Sequence, residues 1–293
     1  MKKIITNLWF EKEAEKAAEF YISLFPDSGI NNITTITDTP SGDTNIVTFK
    51  LAGQDFTAFS PGPYFKFNPS ISMFVVFNNE HEIDEVWNKL IDGGKEYMPY
   101  SKYPWAHKYG WLQDKYGLSW QLSWSDNHKM SQKITPTLMF TEDRAGFAKE
   151  AIEYYTTVFP NSKVEMMMPY TKEDEDKEGF IKHSRFTLDG LDFIAMDSSM
   201  ERDFSFNEAI SFVVNCSDQK EIDYYWEKLS AVPESEQCGW LKDKYGVSWQ
   251  IVPTIMEEMM AKGNTKQIAR VTQAFLKMKK FDIEALKKVY EEK

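Results

Sequence analysis

Cysteine is nearly absent: Cys216 and Cys238 are the two in 293 residues. One bridge cannot staple so long a chain, so a disulfide framework is excluded and both thiols are expected to be reduced. Basic runs are also lacking. The formal net charge is -11 and the lysine clusters are short pairs such as Lys279-Lys280 and Lys287-Lys288, which excludes a nucleic-acid backbone as partner. No apolar stretch approaches the roughly 20 residues a membrane helix needs, and Met1-Lys2-Lys3-Ile4 runs into an amphipathic pattern rather than a signal-peptide core. No membrane partner is expected, and the cytoplasm is the expected address.

What remains is ordinary globular material, with one exception. Hydrophobic residues at 42% and charged residues at 27% exclude disorder and fibrous classes, and the length suits two domains. The aromatic share of 15% is high. Such residues fill cores first and line pockets second.

The chain repeats itself. Gly110-Trp111-Leu112-Gln113-Asp114-Lys115-Tyr116-Gly117-Leu118-Ser119-Trp120-Gln121 recurs as Gly239-Trp240-Leu241-Lys242-Asp243-Lys244-Tyr245-Gly246-Val247-Ser248-Trp249-Gln250. Phe20-Tyr21 with Phe25-Pro26-Asp27-Ser28 answers to Tyr154-Tyr155 with Phe159-Pro160-Asn161-Ser162, and Glu82-Ile83-Asp84 with Trp87 answers to Glu221-Ile222-Asp223 with Trp226. The second copy is longer around 141–146 and shorter before the Gly-Trp-Leu strand, where 91–109 contracts to 230–238. Length changes mark exposed loops. The expected domains are 1–125 and 133–254, followed by a helical extension over 255–293.

Within one copy the periodicity predicts strand, helix and three strands, twice. Residues 4–10 form a strand; Ala14, Ala17, Ala18, Tyr21, Ile22 and Phe25 have helical spacing up to Pro26; residues 30–37, 45–51 and 55–59 are strand-like. The second unit has a strand at 71–77, a helix carrying Ile83, Val86, Trp87, Leu90 and Ile91, and the Trp111 and Trp120 strands. Asp114 and Asp243 open tight turns, which accounts for both carboxylates. In the tail, Ile268, Val271, Thr272, Phe275 and Leu276 predict one helix, and Asp282 caps another holding Ile283, Leu286 and Val289. The class is α+β, with βαβββ units.

The tandem Gly-Trp-Leu-x-Asp-Lys-Tyr-Gly-x-Ser-Trp-Gln signature, the Phe-Tyr-x-x-x-Phe-Pro-x-Ser helix end and the tail over 255–286 resemble the PhnB-like family. That family carries a 3-demethylubiquinone-9 3-methyltransferase label and belongs to the vicinal oxygen chelate superfamily, the glyoxalase and bleomycin-resistance fold. The resemblance implies two tandem domains, each of two βαβββ units forming an open curved sheet around a cavity. It also implies an internal pseudo-dimer and leaves room for a homodimer. It names no reaction.

Methyl transfer from S-adenosylmethionine usually calls for a glycine-rich strand-to-helix turn, and neither Gly93-Gly94 nor Gly62 provides one. In glyoxalase-like relatives a metal is held at the start of the first and fifth strands and within the fourth and eighth. Here those positions fall near Thr6 and Pro136, Ser70 and Ala209, Ala58 and Ala195, and at Gln121 and Gln250. One neutral amide per domain would not retain a divalent ion, so neither metal nor cofactor is expected. His81 and His128 read as loop residues, and His107 and His183 lack a second ligand at suitable spacing. Cys238 starts a strand where a thiol could face a cavity mouth, though a buried structural thiol is the simpler reading.

The eighth strand carries the best pocket signal. Alternation sets Trp120, Leu122 and Trp124 opposite Ser119, Gln121 and Ser123, and Trp249 and Ile251 opposite Ser248 and Gln250. A few polar groups on one face are what a largely apolar cavity uses to orient a ligand. The candidate ligand-binding residues are Ser119, Gln121, Ser248, Gln250 and Cys238; no catalytic residue is assigned. The expected function is metal-free binding of a small organic molecule. The alternatives are an enzyme of the same superfamily, of lyase, dioxygenase or isomerase type, and a module whose copies make a protein interface.

Overall fold

The computed structural model describes residues 2–39, 42–126 and 131–292. His128 lies outside them. The first unit is β1 (Ile4–Trp9), α1 (Ala14–Ile22), β2 (Gly29–Thr39), β3 (Gly42–Leu51) and β4 (Gln54–Phe59), and the second is β5 (Ile71–Phe77), α2 (Glu80–Ile91), β6 (Lys95–Tyr103), β7 (Ala106–Gln113) and β8 (Ser119–Trp124). The third unit repeats the first as β9 (Ile134–Phe140), α3 (Ala148–Val158), β10 (Lys163–Pro169), β11 (Ile181–Leu188) and β12 (Leu191–Asp197). The fourth repeats the second in shortened form: β13 (Ile210–Cys216), α4 (Gln219–Leu229), β14 (Trp240–Lys242) and β15 (Ser248–Pro253). The alternation is βαβββ in the first three units and βαββ in the fourth. Helix α1 stops short of Phe25 because Ser23 folds back, its amide and hydroxyl both donating to Phe20 O, and because Pro26 bars helical backbone before it.

The sheets are not divided as the repeat suggests. One sheet runs β14-β15-β13-β1-β4-β3-β2 and the other β10-β11-β12-β9-β5-β8-β7-β6. Each combines one unit from each copy, so residues 1–125 close no sheet of their own and the expectation of one curved sheet per copy is corrected. The physical cause is the edge of each unit's first strand. Strand β1 pairs antiparallel with β13, Asn7 opposite Ser211, and β5 pairs antiparallel with β9, Ser72 opposite Thr137. Since β1 corresponds to β9 and β5 to β13, the two exchanges are the same exchange made twice, as a pseudo-twofold requires.

The helix-covered faces of both sheets share one core. Phe193 of β12 meets Phe212 of β13 with ring centroids 5.1 Å apart, joining the sheets directly. Two buried carboxylates fasten the helices to it. Asp114 accepts from Tyr116 N, Leu118 N, Tyr21 Oη and Trp120 Nε1 at 2.8, 3.1, 2.8 and 2.8 Å. Asp243 repeats this with Tyr245 N, Val247 N, Tyr155 Oη and Trp249 Nε1 at 2.9, 3.0, 2.7 and 2.8 Å. Burial pushes both carboxyls above the ordinary range, against the pull of these donors. The turn reading holds, and tyrosine and tryptophan partners add to it.

The tail occupies the gap left by the shortened fourth unit. It forms α5 (Thr254–Lys262), which the periodicity did not predict, then α6 (Thr265–Phe275) and α7 (Ile283–Glu291). Asn264 and Gln267 cap α6 reciprocally, and Asp282 accepts from Ala285 N at 3.0 Å as the cap of α7. Between the helices, Met278 O and Lys279 O accept from Cys238 N and Gly239 N at 2.8 and 2.7 Å, in the place where β6 flanks β7. Phe281 lies over Gly239, where a Cβ would sit 2.4 Å from its ring. Helix α6 also reaches β2, so the tail contacts both copies.

Candidate functional site

Each sheet has a second face, turned away from the common core, and the alternation fixes what it presents. In the β5–β12 sheet, Ser72, Phe74 and Val76 of β5 stand beside Ser119, Gln121 and Ser123 of β8, Tyr109 and Trp111 of β7, Thr135, Thr137 and Met139 of β9, and Ile194 and Met196 of β12. The serine and glutamine positions lie where the sequence placed them, opposite the buried Trp120 and Leu122.

This face is full. Phe74, Ala106, Tyr109, Trp111, Met139 and Ile194 form a separate buried cluster, with Tyr97, Met98 and Tyr103 of β6 packed on it. Its polar groups are matched. Gln121 donates through Nε2 to Ser72 Oγ at 2.8 Å and accepts Tyr109 Oη at 2.8 Å, while Trp111 Nε1 donates to Ser119 Oγ at 2.8 Å. Burial pushes the Tyr109 phenol up, so it remains a donor at physiological pH. Gln121, 4% exposed, and Trp111, 8% exposed, are out of reach of solvent.

The equivalent face of the other sheet is built from the same positions; Asn7, Ser211 and Ser248 are as buried there as Gln121, but the residues around them are more open. Asn7 of β1 donates through Nδ2 to Ser211 Oγ at 3.3 Å and accepts Thr57 Oγ1 at 2.7 Å; Gln250 Nε2 donates to the same Ser211 Oγ at 2.9 Å. Thr57, Gln250, Trp9, Phe59 and Trp240 are only half-buried. Among the described residues the Gln250 amide oxygen accepts no hydrogen bond. Ser248 Oγ is buried with no partner there either. Trp240, the counterpart of Trp111, leans instead on Trp9 and Phe59 at centroid distances of 5.9 Å each, with Phe65 beyond Trp9 at 4.9 Å. The result is a neutral polar floor beneath an aromatic wall.

Cys238 does not join this floor. It occupies the sequence position of Tyr109, but its backbone turns to φ 52° and its amide is bound to the tail. Burial raises its thiol above the ordinary value, the opposite of an activated nucleophile. Asn7, Thr57, Ser72 and Ser211 are the members the sequence reading missed. It set these positions near Thr6, Ala58, Ser70 and Ala209 without naming the outward residues, which lie within two positions of them; Thr6 itself pairs with Phe56 and Phe212 on the core face.

The residues at the metal-ligand positions of this fold can be tested directly. The outward residues nearest the positions that the resemblance implies are Asn7, Thr57, Ser211 and Gln250 in one sheet, and Ser72, Gln121, Thr137 and Ile194 in the other. Amides, hydroxyls and an alkyl group supply no charge, and no cluster of three or more His, Cys, Asp or Glu that could hold an ion occurs among the described residues. The donor set does not fit a divalent ion.

This architecture is that of the glyoxalase fold. Glyoxalase I from Zea mays aligns over 88% of this chain and 94% of its own with a TM-score of 0.58, at 9% identity, which speaks to fold alone. The family model described as 3-demethylubiquinone-9 3-methyltransferase matches residues 2–123 and again 132–252, and the chain belongs to that family, within the vicinal oxygen chelate superfamily. A PhnB protein from Bacillus cereus is 42% identical over 42% of this chain and 100% of its own, with a TM-score of 0.40. No sequence among curated proteins matches. None of the described helices is long and apolar enough to cross a membrane.

Proposed function

We propose that this protein binds a small organic molecule on the outer face of a glyoxalase-fold sheet, without a divalent metal. The observation that carries the reading is the neutral hydrogen-bonding row, Thr57–Asn7–Ser211–Gln250, set beneath Trp9, Phe59 and Trp240. Apolar walls supply affinity, and a few fixed amides and hydroxyls orient the guest. The activity in the family's name draws no support from the strand-to-helix turns, which hold one glycine between them, Gly146. Two free thiols, one buried and one half-buried, fit a cytoplasmic address. Native mass spectrometry of the purified chain, paired with elemental analysis, tests the proposal. A co-purified organic compound without stoichiometric metal is expected; one tightly held metal ion per sheet would overturn the metal-free reading.

A further inference from the structure

The two outer faces differ at several paired positions, among them Asn7 against Thr137 and Thr57 against Ile194, and most of all by one strand that the second copy lacks. In the closed face, β6 contributes Tyr97 and Tyr103, and β7 contributes Tyr109, whose hydroxyl occupies the amide oxygen of Gln121. Tyr97 lies against Trp111, centroids 5.2 Å apart, and the Trp111 indole occupies Ser119. The fourth unit contracts where β6 would be, so the open face has no counterpart of Tyr97 or Tyr103. Cys238 stands in place of Tyr109. The tail restores the lost strand pairing at Cys238 and Gly239 and packs Phe281 on the core side of that edge.

On the evidence of these vacated contacts, and resting on the binding reading above, we propose that the chain has one ligand site rather than two. It lies on the sheet formed by the first and fourth units, so its floor comes from the two ends of the repeat region: Asn7 and Thr57 with Ser211, Ser248 and Gln250. The guest is an uncharged planar aromatic bearing a hydrogen-bond donor and an acceptor. The donor meets the half-buried Gln250 amide oxygen and the ring lies against Trp240; the Ser248 hydroxyl is buried at 1% exposure, so the guest's acceptor reaches it only where the side chains over it move aside. Lys242, on the same face as Ser248, is neutralised by Glu208 at 2.7 Å, so the site offers no net charge to an ionic guest. The outer face of the β5–β12 sheet serves as a packed core.

The test uses the full chain and 1-naphthamide, which carries ring, donor and acceptor without charge, titrated calorimetrically and by tryptophan fluorescence. The expected stoichiometry is one. Ser248→Ala and Gln250→Leu should each weaken binding about tenfold, and Gln121→Leu should leave it unchanged. Two sites, or one site lost with Gln121→Leu, would overturn the single-site assignment while sparing the binding reading. No saturable binding in the millimolar range would overturn both. Ser248→Ala removes one unpartnered oxygen, so it carries the test alone if Gln250→Leu fails to fold.

Discussion

The second and fourth units come from the same repeated sequence and end in different states. Both place Ser-Trp-Gln on the strand after an Asp-Lys-Tyr-Gly turn, and both tie the aspartate to a tyrosine and a tryptophan. Their core faces are nearly interchangeable, and their outer faces are not. Where β6 is present the outer face fills with aromatic side chains and every mapped amide and hydroxyl of its centre finds a partner. Where it is missing, the tail mends the edge and the outer face stays open. A repeat therefore preserves the parts that fold each unit, while a short deletion leaves one outer face with hydrogen-bonding atoms unmatched among the described residues.

The largest expected effect lies where the two units agree. Asp114→Ala and Asp243→Ala each leave a buried phenol, an indole N–H and two backbone amides without their acceptor, so each should cost about 3–5 kcal/mol in denaturant unfolding. The two losses should match within about 1 kcal/mol. A several-fold disparity would mean that the units are not equivalent even in their cores.

Next comes the tail, which belongs to one side of the comparison. Phe281→Ala should cost about 3 kcal/mol, because the ring is buried over Gly239 and no neighbour replaces it. Deleting 264–293 should lower the melting temperature clearly and expose amides around 238–251 to hydrogen exchange, while β6 to β8 stay protected. An unchanged melting temperature would refute the packing role. On the other side, Tyr109→Phe should cost about 1–3 kcal/mol by orphaning the buried Gln121 oxygen. Cys238→Ser, at the equivalent position, should stay within about 0.5 kcal/mol, since its side chain makes no hydrogen bond among the described residues.

How much of this could be read from the chain follows from the same physics. The repeat, the βαβββ units, the face carrying Ser119, Gln121, Ser248 and Gln250, and the site of the deletion are local signals and stand in the sequence. The exchange of units between sheets is not local. Strand β1 has the same sequence whether it pairs within its own copy or with β13, and only the whole packing selects between them. Strands such as β5 and β9 are apolar on both faces, so alternation could not say that Ser72 and Thr137 look outward. That the tail supplies backbone hydrogen bonds in place of a strand was hidden because nothing in the other copy corresponds to it.

One of the smaller differences is the most discriminating. Ser119 and Ser248 occupy the same position in the two strands, are equally buried at 1%, and differ only in their partners. Ser119 Oγ receives the Trp111 indole, so Ser119→Ala strands that N–H in a packed interior and should cost about 1–2 kcal/mol. Ser248 Oγ receives nothing among the described residues, so Ser248→Ala removes a buried hydroxyl that already lacks a bond and should be neutral or stabilising by up to about 1 kcal/mol. Paired denaturation curves of the two variants decide the matter without any ligand. Equal losses would mean that Ser248 is satisfied in solution and that the open face owes nothing to its missing partner. A loss confined to Ser119 would leave Ser248 as a group held in the fold at a small cost in stability, which is what a residue kept for a guest should look like.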